Sequence, residues 1–209
     1  SQKVFILGLP RTATTSICIA TLELGFKTAH TAYLNRTFAQ ADVLADTPIF
    51  ADYQQLDRHF SGAKFIYLTR DQARWLPSIR QLLLRMHGNL VRADGGFNPI
   101  IKRCYQQVFG PLTLDNINDD AHLIQCFNKH RAEVLRYFST RPEDLLVMDV
   151  SQPGSYQALC DFLAPDQAIH RSGEFQHINV GGKVTAWKQI KHPLKVASTQ
   201  AGRVDKLSY

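Results

Sequence analysis

The sequence predicts an α/β fold in which helices flank a central parallel β-sheet, arranged in three layers. The apolar run at residues 4–9 does not alternate with polar residues, which is typical of a strand buried on both faces of a parallel sheet. A turn of small residues and a helical pattern at 14–24 follow this strand directly. The same order recurs with a second apolar strand at 64–69 and a helix after it, as in repeated βαβ units.

The first half of the chain is predicted to alternate strands and helices. Gly25 ends the first helix as a C-cap. The segment 26–31 is expected to form a short strand that closes a βαβ unit. The remaining predicted elements of this half are a helix at 35–45, a break at Asp46-Thr47-Pro48, a helix at 53–60, the strand at 64–69 and a helix at 72–86.

The second half begins with a stretch rich in Gly and Pro, residues 87–118, that contains one modest helix at 100–109. Such an excursion from an α/β domain often forms a lid or one wall of the ligand cleft. Lys102 and Arg103 in this wall could attract an acidic acceptor, or could be solvated surface charges. A long amphipathic helix at 119–138, a last core strand at 145–150 and a helix at 156–163 follow. We expect one domain over residues 1–209, with a basic loop and tail at 175–209.

Composition favours a globular protein with an anionic ligand. The 209 residues are 44% hydrophobic and 20% charged, which is ordinary for a globular domain. The net charge of +6 suggests an anionic ligand, because a basic cleft concentrates anions. Nucleic acid is the competing explanation, but the basic residues are scattered and form no Lys/Arg run with interleaved aromatics. A directed anion site is therefore the expectation, with no nucleic acid.

The cysteines predict neither a metal site nor a disulfide framework. The four cysteines lie singly in apolar or helical surroundings and lack metal-ligand spacing. They are expected to be thiols in a reducing compartment. No apolar run approaches the roughly 20 residues needed to span a bilayer, and no secretory signal is recognised. A cytoplasmic location without a membrane span or a metal is therefore expected.

The turn after the first strand, Gly8-Leu9-Pro10-Arg11-Thr12-Ala13-Thr14-Thr15, predicts an anion site. Main-chain N–H groups of such a turn and of the helix that follows converge on one point, which suits a phosphate-like group. The nearest general pattern is the P-loop, G-x-x-x-x-G-K-[ST], but here Ala13 replaces the second glycine and Thr14 replaces the lysine. The cation is instead Arg11, which fits a planar oxyanion group and gives no reason to expect a metal.

At these residues the sequence resembles the sulfotransferases. Their loop for the 5′-phosphosulfate reads Pro-(Lys/Arg)-(Ser/Thr)-Gly-Thr-Thr, and here it reads Pro10-Arg11-Thr12-Ala13-Thr14-Thr15. A chance strand, turn and helix is the alternative for so short a motif. The resemblance implies that the loop binds the donor 3′-phosphoadenosine 5′-phosphosulfate (PAPS). The residues that would do so are Pro10, Arg11, Thr12, Ala13, Thr14, Thr15 and Ser16.

A second match supports the first. Arg70 ends a buried strand and Ser78 follows it by eight residues on the next helix, the spacing with which sulfotransferases bind the 3′-phosphate of the donor. A guanidinium at a strand end can make bidentate phosphate contacts, and a hydroxyl about two helical turns later can face the same pocket. Taken alone, Arg70 with Asp71 would be an ordinary surface pair.

Two residues are candidates for the general base that deprotonates the acceptor. His30 lies at the end of the predicted second strand, in the region from which several sulfotransferase branches supply this base, often a glutamate. A neutral imidazole can accept a proton near neutral pH, but a structural histidine is about equally expected. Asp46 could cap a helix, orient His30 or act as the base itself.

A late loop is a candidate to complete the 3′-phosphate site. Sulfotransferases use a loop of glycine and basic residues for this purpose, and Gly181-Gly182-Lys183 resembles it without the family's Arg-Lys-Gly. Glycine allows main-chain N–H groups to approach a phosphate closely. Gly182 and Lys183 are therefore candidates, and a flexible basic tail is the alternative.

The resemblance implies transfer of a sulfuryl group from PAPS to an acceptor hydroxyl or amine, with 3′-phosphoadenosine 5′-phosphate (PAP) as the product. Arg11 would stabilise charge at the transferred group, and His30 or Asp46 would deprotonate the acceptor. The acceptor is expected to be a small molecule, a carbohydrate or a lipid. A P-loop kinase and a non-catalytic phosphonucleotide-binding protein are the alternatives.

Overall fold

The fold was analysed in a computed structural model. The structure describes residues 2–164, 175 and 186–209, and the main chain of 179–180 and 183–184.

A five-stranded parallel sheet forms the centre of the described structure. All four pairings between neighbouring strands are parallel, so the carboxyl ends of the strands share one edge of the sheet. The strands are β1 (Val4–Ile6), β2 (Thr28–His30), β3 (Val43–Ala45), β4 (Lys64–Leu68) and β5 (Leu145–Met148). Their order in the sheet is β2-β3-β1-β4-β5. The predicted α/β fold class is confirmed.

Eight α-helices connect the strands within the described residues. They are α1 (Thr14–Glu23), α2 (Asn35–Gln40), α3 (Ile49–His59), α4 (Gln72–Val91), α5 (Pro99–Phe109), α6 (Leu114–Ile117), α7 (Asp120–Tyr137) and α8 (Ser155–Leu163). A short hairpin of β6 (Asn179–Val180) and β7 (Lys183–Val184) lies apart from the main sheet. The helix predicted at 100–109 corresponds to α5, and the one predicted at 119–138 corresponds to α7.

Alternate residues of the central strands enter two different cores, which explains why β1 shows no polar alternation. Phe5 of β1 packs on one face with residues of α3 and α7. Val4 and Ile6 pack on the other face with residues of α1 and α8. A third cluster joins α4, α5, α6 and α7 beside the sheet, with Trp75 fully buried within it. The result is a three-layer arrangement of helices, sheet and helices.

The helix predicted at 35–45 is wrong in its second half. Helix α2 ends at Gln40, and Val43–Ala45 forms β3, which pairs with β1 on one side and with β2 on the other. All three residues of β3 are fully buried, so the hydrogen bonds and the burial available between two strands outweigh the helical preference of the alanines around them. The strand predicted at 26–31 exists as β2, but β3 separates it from β1.

The final segment of the chain runs along the outer edge of β2. Thr28 donates its main-chain N–H to Leu194 O at 3.0 Å, and its own carbonyl accepts from the N–H of Val196 at 2.9 Å. Farther along, the N–H of Tyr33 donates to Ser198 O at 3.0 Å. The side chain of Asn35 also contacts Lys206 and Ser208. This segment, residues 192–209, is called the edge segment below.

None of the helices in the described residues is long and apolar enough to cross a membrane. The four cysteines are all buried. Burial raises the pKa of Cys104 to about 12, so its thiol is protonated at neutral pH.

Candidate active site

The β1–α1 loop, residues 7–13, lies at the carboxyl edge of the sheet and packs against β4. The N–H of Leu7 donates to Ile66 O at 2.7 Å. A Cβ atom on Gly8 would lie 2.5 Å from Thr12 Oγ1 and 2.6 Å from Leu68 Cβ, so only glycine fits at this position. Thr12 Oγ1 donates to Leu9 O at 2.7 Å and closes the loop on itself. The loop is therefore held in one shape by β4 and by its own threonine.

Two non-glycine residues of this loop have left-handed main-chain conformations. Arg11 has φ of 71°, and Ala13, which caps helix α1, has φ of 76°. Ala13 occupies the position at which the sulfotransferase and P-loop patterns have glycine, and its positive φ explains that preference. The first α1 hydrogen bond runs from the N–H of Ile17 to Ala13 O at 3.2 Å. The N–H groups of Thr14, Thr15 and Ser16 consequently point out of the helix end, where the helix dipole favours an anion.

Helix α4 and the end of β4 contact this loop through three side chains. Arg70 donates from Nη1 to Arg11 O at 2.8 Å. Arg11 donates from Nη1 to Ser78 Oγ at 3.3 Å. Trp75 donates from Nε1 to Pro10 O at 3.0 Å, so its buried ring packs under the loop. The structure thus brings Arg11, Arg70 and Ser78 together, as their spacing in the sequence predicts.

The electrostatics of this region favour an anion. Burial lowers the pKa of Arg11, and the positive charges of Arg85 and Arg70 lower it further, with Tyr105 acting in the opposite direction. Among the described residues, none of these three arginines forms an ion pair with a carboxylate. Three neighbouring guanidinium groups without a carboxylate repel one another, and a bound anion would relieve that repulsion.

His30 and Asp46 lie side by side at the same edge of the sheet. His30 is the last residue of β2 and Asp46 follows β3 directly, and the two strands are paired in register at their ends. His30 Nε2 is 3.6 Å from Asp46 Oδ2, and each side chain is 15% exposed. The ring of His30 also stacks on Trp187, with 5.8 Å between centroids. One face of the imidazole is therefore covered.

The carboxylate of Asp46 is fixed by its own turn. Asp46 has φ of 62°, and its Oδ1 accepts from the N–H of Thr47 at 2.7 Å and from Thr47 Oγ1 at 3.2 Å. Thr47 Oγ1 is also 2.8 Å from the hydroxyl of Tyr33. These contacts use Oδ1 and leave Oδ2 beside His30. The aspartate is a fixed acceptor at the edge of the cleft and does not cap a helix: the side chain of Asp46 makes no cap hydrogen bond to α3.

Tyr105 on α5 connects the two parts of the site. Burial raises the pKa of its hydroxyl, and the negative charge of Asp46 raises it further, while the positive charge of Arg11 lowers it. The pKa of this buried hydroxyl therefore depends on both the loop arginine, Arg11, and the candidate base, Asp46. Because β3 pairs in register with β1 on one side and with β2 on the other, the His30–Asp46 pair and the β1–α1 loop with its arginines leave neighbouring strands at the same edge of the sheet.

Two basic residues of the predicted wall are occupied by structural contacts. Lys102 Nζ donates to Arg92 O at 2.8 Å and to Gly95 O at 2.7 Å. Arg103 binds the buried carboxylate of Asp52 with two hydrogen bonds, at 2.8 and 2.7 Å. Their contacts hold α5 in place, a structural role that differs from both alternatives considered from the sequence, attraction of an acidic acceptor and a solvated surface charge.

Gly182 lies outside the described residues, and so does the side chain of Lys183, whose main chain pairs with Val180 in the hairpin.

Sequence reasoning missed two residues near the loop, Arg85 and Tyr105. Arg85 follows Ser78 by seven residues, a spacing that places both on one face of a helix and that could have indicated it. No sequence signal indicated Tyr105. Within the described part of the chain, no cluster of His, Cys, Asp and Glu could hold a metal ion.

The chain has an α/β fold with a tight loop before its first helix, and arginines surround that loop. These features are typical of proteins that bind anionic groups at the carboxyl edge of a parallel sheet. A family model described as the sulfotransferase domain matches residues 3–37 and 29–184, which together span most of the chain. The chain therefore belongs to the sulfotransferase family. No curated protein shows significant similarity to it.

Proposed function

We propose that this protein transfers a sulfuryl group from PAPS to an acceptor hydroxyl or amine and releases PAP. The observation that carries the proposal is the pair of contacts that joins the two phosphate-binding motifs. Arg11 of the loop reaches Ser78, and Arg70 reaches the carbonyl of Arg11. The motif for a 5′-phosphosulfate and the motif for a 3′-phosphate therefore meet at one place, as a donor with both groups requires.

The residues present fit such a donor. The outward N–H groups of α1 and the guanidinium of Arg11 suit the 5′-phosphosulfate, because both are donors fixed in place before the ligand arrives. Arg70 and Ser78 suit the 3′-phosphate, since a guanidinium can contact two phosphate oxygens at once. Gly182 and Lys183 remain candidates to complete this second group.

The same residues support a mechanism for the transfer. When bound, the donor would supply the sulfuryl group, and a new bond from sulfur to the acceptor oxygen or nitrogen would form as the bond from sulfur to the 5′-phosphate oxygen breaks. Arg11 and the N–H groups of Thr14, Thr15 and Ser16 stabilise the negative charge that develops on the oxygen of the leaving phosphate.

We assign removal of the acceptor proton to Asp46, with His30 as its positioning partner. Asp46 directly follows Ala45, which pairs with Ile6 at the end of β1, so its carboxylate lies at the sheet edge beside the β1–α1 loop, where the sulfuryl group would lie. His30 is stacked on Trp187 and lies beside Asp46 Oδ2, a position that suits it to orient the carboxylate. The proton of the acceptor passes to Oδ2 of Asp46, the oxygen that Thr47 leaves unused.

The test is a calorimetric titration of PAP against the wild-type chain and the Arg70→Ala variant, with ATP and AMP as control nucleotides. Tight binding of PAP that depends on Arg70, with much weaker binding of AMP, supports a donor site that recognises the 3′-phosphate. Arg58→Ala is the matched control, because Arg58 is an exposed arginine in the last turn of α3, near the opposite edge of the sheet.

Equal affinity for PAP and ATP would overturn the proposal, because it would indicate that the loop binds nucleotides in general and does not recognise the 3′-phosphate. ATP turnover that depends on Mg²⁺ would indicate a kinase. Binding of PAP by a chain that transfers no sulfuryl group to any acceptor would indicate a phosphonucleotide-binding protein.

A further inference from the structure

Arg85 is the third arginine near the loop, after Arg11 and Arg70, and it has no role in the proposed donor site. It lies on α4 seven residues after Ser78, which is about two helical turns, so both side chains project from the same face of the helix. Ser78 contacts Arg11 directly. The face of α4 that carries Ser78 next to the loop therefore also carries Arg85, about 10 Å farther along the helix.

The charge of Arg85 acts on the loop. Its effect on the pKa of Arg11 is larger than that of Arg70, although Arg70 hydrogen-bonds to the main chain of Arg11. The side chain of Arg85 is exposed, and no hydrogen bond or ion pair of this side chain occurs among the described residues. A flexible arginine next to a half-buried arginine is unfavourable unless an anion lies between or beside them.

The donor does not account for this third cation. Its 3′-phosphate is assigned to Arg70 and Ser78, which lie at the end of β4 and in the first two turns of α4. Its 5′-phosphosulfate is assigned to the loop and to the first turn of α1. Arg85 lies beyond both, in the direction in which α4 continues toward the 87–118 wall, which carries Tyr105.

Two basic side chains of that wall, those of Lys102 and Arg103, have partners. Lys102 is bound to two carbonyl groups, and Arg103 is bound to Asp52. Arg85 differs from Lys102 and Arg103 because its side chain makes no hydrogen bond or ion pair among the described residues.

We propose that Arg85 is a specificity residue that binds an anionic group of the acceptor, such as a carboxylate, a phosphate or a sulfate already in place. This inference rests on the proposed function, because it takes the donor site as occupied by PAPS. A planar guanidinium suits all three of these oxyanions, and an exposed, flexible arginine can close over a substrate after the donor is bound. The acceptor class is thereby narrowed to anionic molecules.

The experiment measures binding of inorganic phosphate to the chain saturated with PAPS, by calorimetry. PAPS fills the loop, so phosphate can bind only outside the donor site. The variants are Arg85→Gln and, as the matched control for loss of one exposed arginine, Arg58→Gln. We expect phosphate to bind the wild-type complex and the Arg58→Gln complex equally, and to bind the Arg85→Gln complex about tenfold more weakly or not at all.

Two results would overturn the inference. One is absence of phosphate binding to the wild-type complex, or binding that Arg85→Gln leaves unchanged. The other is a loss of PAPS affinity in Arg85→Gln without a loss of PAP affinity, because that pattern places Arg85 on the sulfuryl group of the donor. Failure of the proposed function is separate from both, since it would appear as a wild-type chain that binds neither PAPS nor PAP.

Discussion

Arg70 donates a hydrogen bond from Nη1 to the main-chain oxygen of Arg11, 2.8 Å away, and so joins the end of β4 to the β1–α1 loop. Arg11 adopts a left-handed conformation at this point, with φ of 71°. A non-glycine residue with positive φ is strained, and such strain persists only where neighbouring contacts fix it. Arg70 therefore has a part in shaping the loop in addition to its proposed contact with a phosphate.

The loop arginine should matter more for turnover than for binding of the product. Replacement of Arg11 by alanine is expected to reduce kcat on the order of 10²-fold, because it removes a fixed charge donor from the leaving oxygen. The PAP affinity should fall much less, since Arg70 and Ser78 remain. Steady-state rates with PAPS and calorimetry with PAP measure the two effects. An unchanged kcat with a raised KM for PAPS would show that Arg11 contributes only ground-state binding.

Asp46 and His30 should differ in their effects on catalysis. Asp46→Asn keeps the shape of the side chain but removes the proton acceptor, and we expect a loss of kcat on the order of 10²- to 10³-fold. His30→Gln removes only the positioning partner and should cost about tenfold. PAP affinity is the control for both variants, because neither residue is assigned to the donor. A larger loss of kcat in His30→Gln than in Asp46→Asn would contradict this assignment and would indicate that His30 is the base and Asp46 its positioning partner.

Stability should fall in weak acid because of His130. Burial lowers the pKa of this histidine from its usual 6.5 to about 4, although its hydrogen bond to Phe50 O acts in the opposite direction. Between pH 6.5 and pH 4 the unfolded chain binds a proton that the folded chain does not, so the free energy of unfolding decreases as the pH falls through this window. The contribution is on the order of 3 kcal/mol.

Urea denaturation at several pH values measures this effect. The buried His130 Nδ1 has no hydrogen-bond partner in the described structure, so His130→Leu should fold and should lose most of the pH dependence. His59→Gln changes an exposed histidine and is the control, because it should leave the pH dependence of the free energy of unfolding unchanged. An unchanged slope in His130→Leu would assign the acid sensitivity to other groups.

The contact between α3 and α5 should be important for stability. The carboxylate of Asp52 is buried and accepts two hydrogen bonds from Arg103 and one from the hydroxyl of Tyr209 at 2.9 Å. Arg103→Ala leaves this carboxylate short of partners and should lower the free energy of unfolding by about 2 kcal/mol. That value is below the range for a fully buried pair because half of the Arg103 side chain remains in water.

Arg103→Lys keeps the charge but not the two-pronged geometry, and should recover only part of the loss. Urea denaturation of Arg103→Ala, of Asp52→Ala and of the variant that combines them gives the coupling energy between the two side chains. A coupling near zero would show that the pair is an ordinary surface contact.

The sequence predicted the strands that are long or apolar enough to show a pattern. Val4–Ile6 and Lys64–Leu68 are almost entirely buried, and continuous apolar runs indicate such strands directly. The strand β3 could not be predicted in this way. Its three residues, Val43–Ala45, are too few to show a period, and they follow a segment that is helical up to Gln40.

The same limit applies to the site. The contact between Arg11 and Ser78 could be anticipated, because each residue lies at a fixed distance from a recognisable strand end. The pairing of His30 with Asp46 was one of several roles open to Asp46, and the sequence could not select it, since it depends on β3 lying next to β2. The electrostatic link through Tyr105 depends on the packing of α5, which no local pattern specifies. The roles of these residues as ligands of a donor stay predictions.

The edge segment has a consequence for how the molecule behaves among its own copies. The outer edge of a sheet offers unpaired N–H and C=O groups that can recruit a strand from another molecule, and this is a common route to aggregation. At β2 both main-chain groups of Thr28 are already bonded, to Leu194 and Val196 of the same chain. The chain thereby protects a short, buried edge strand from intermolecular pairing, and it does so with its own main chain.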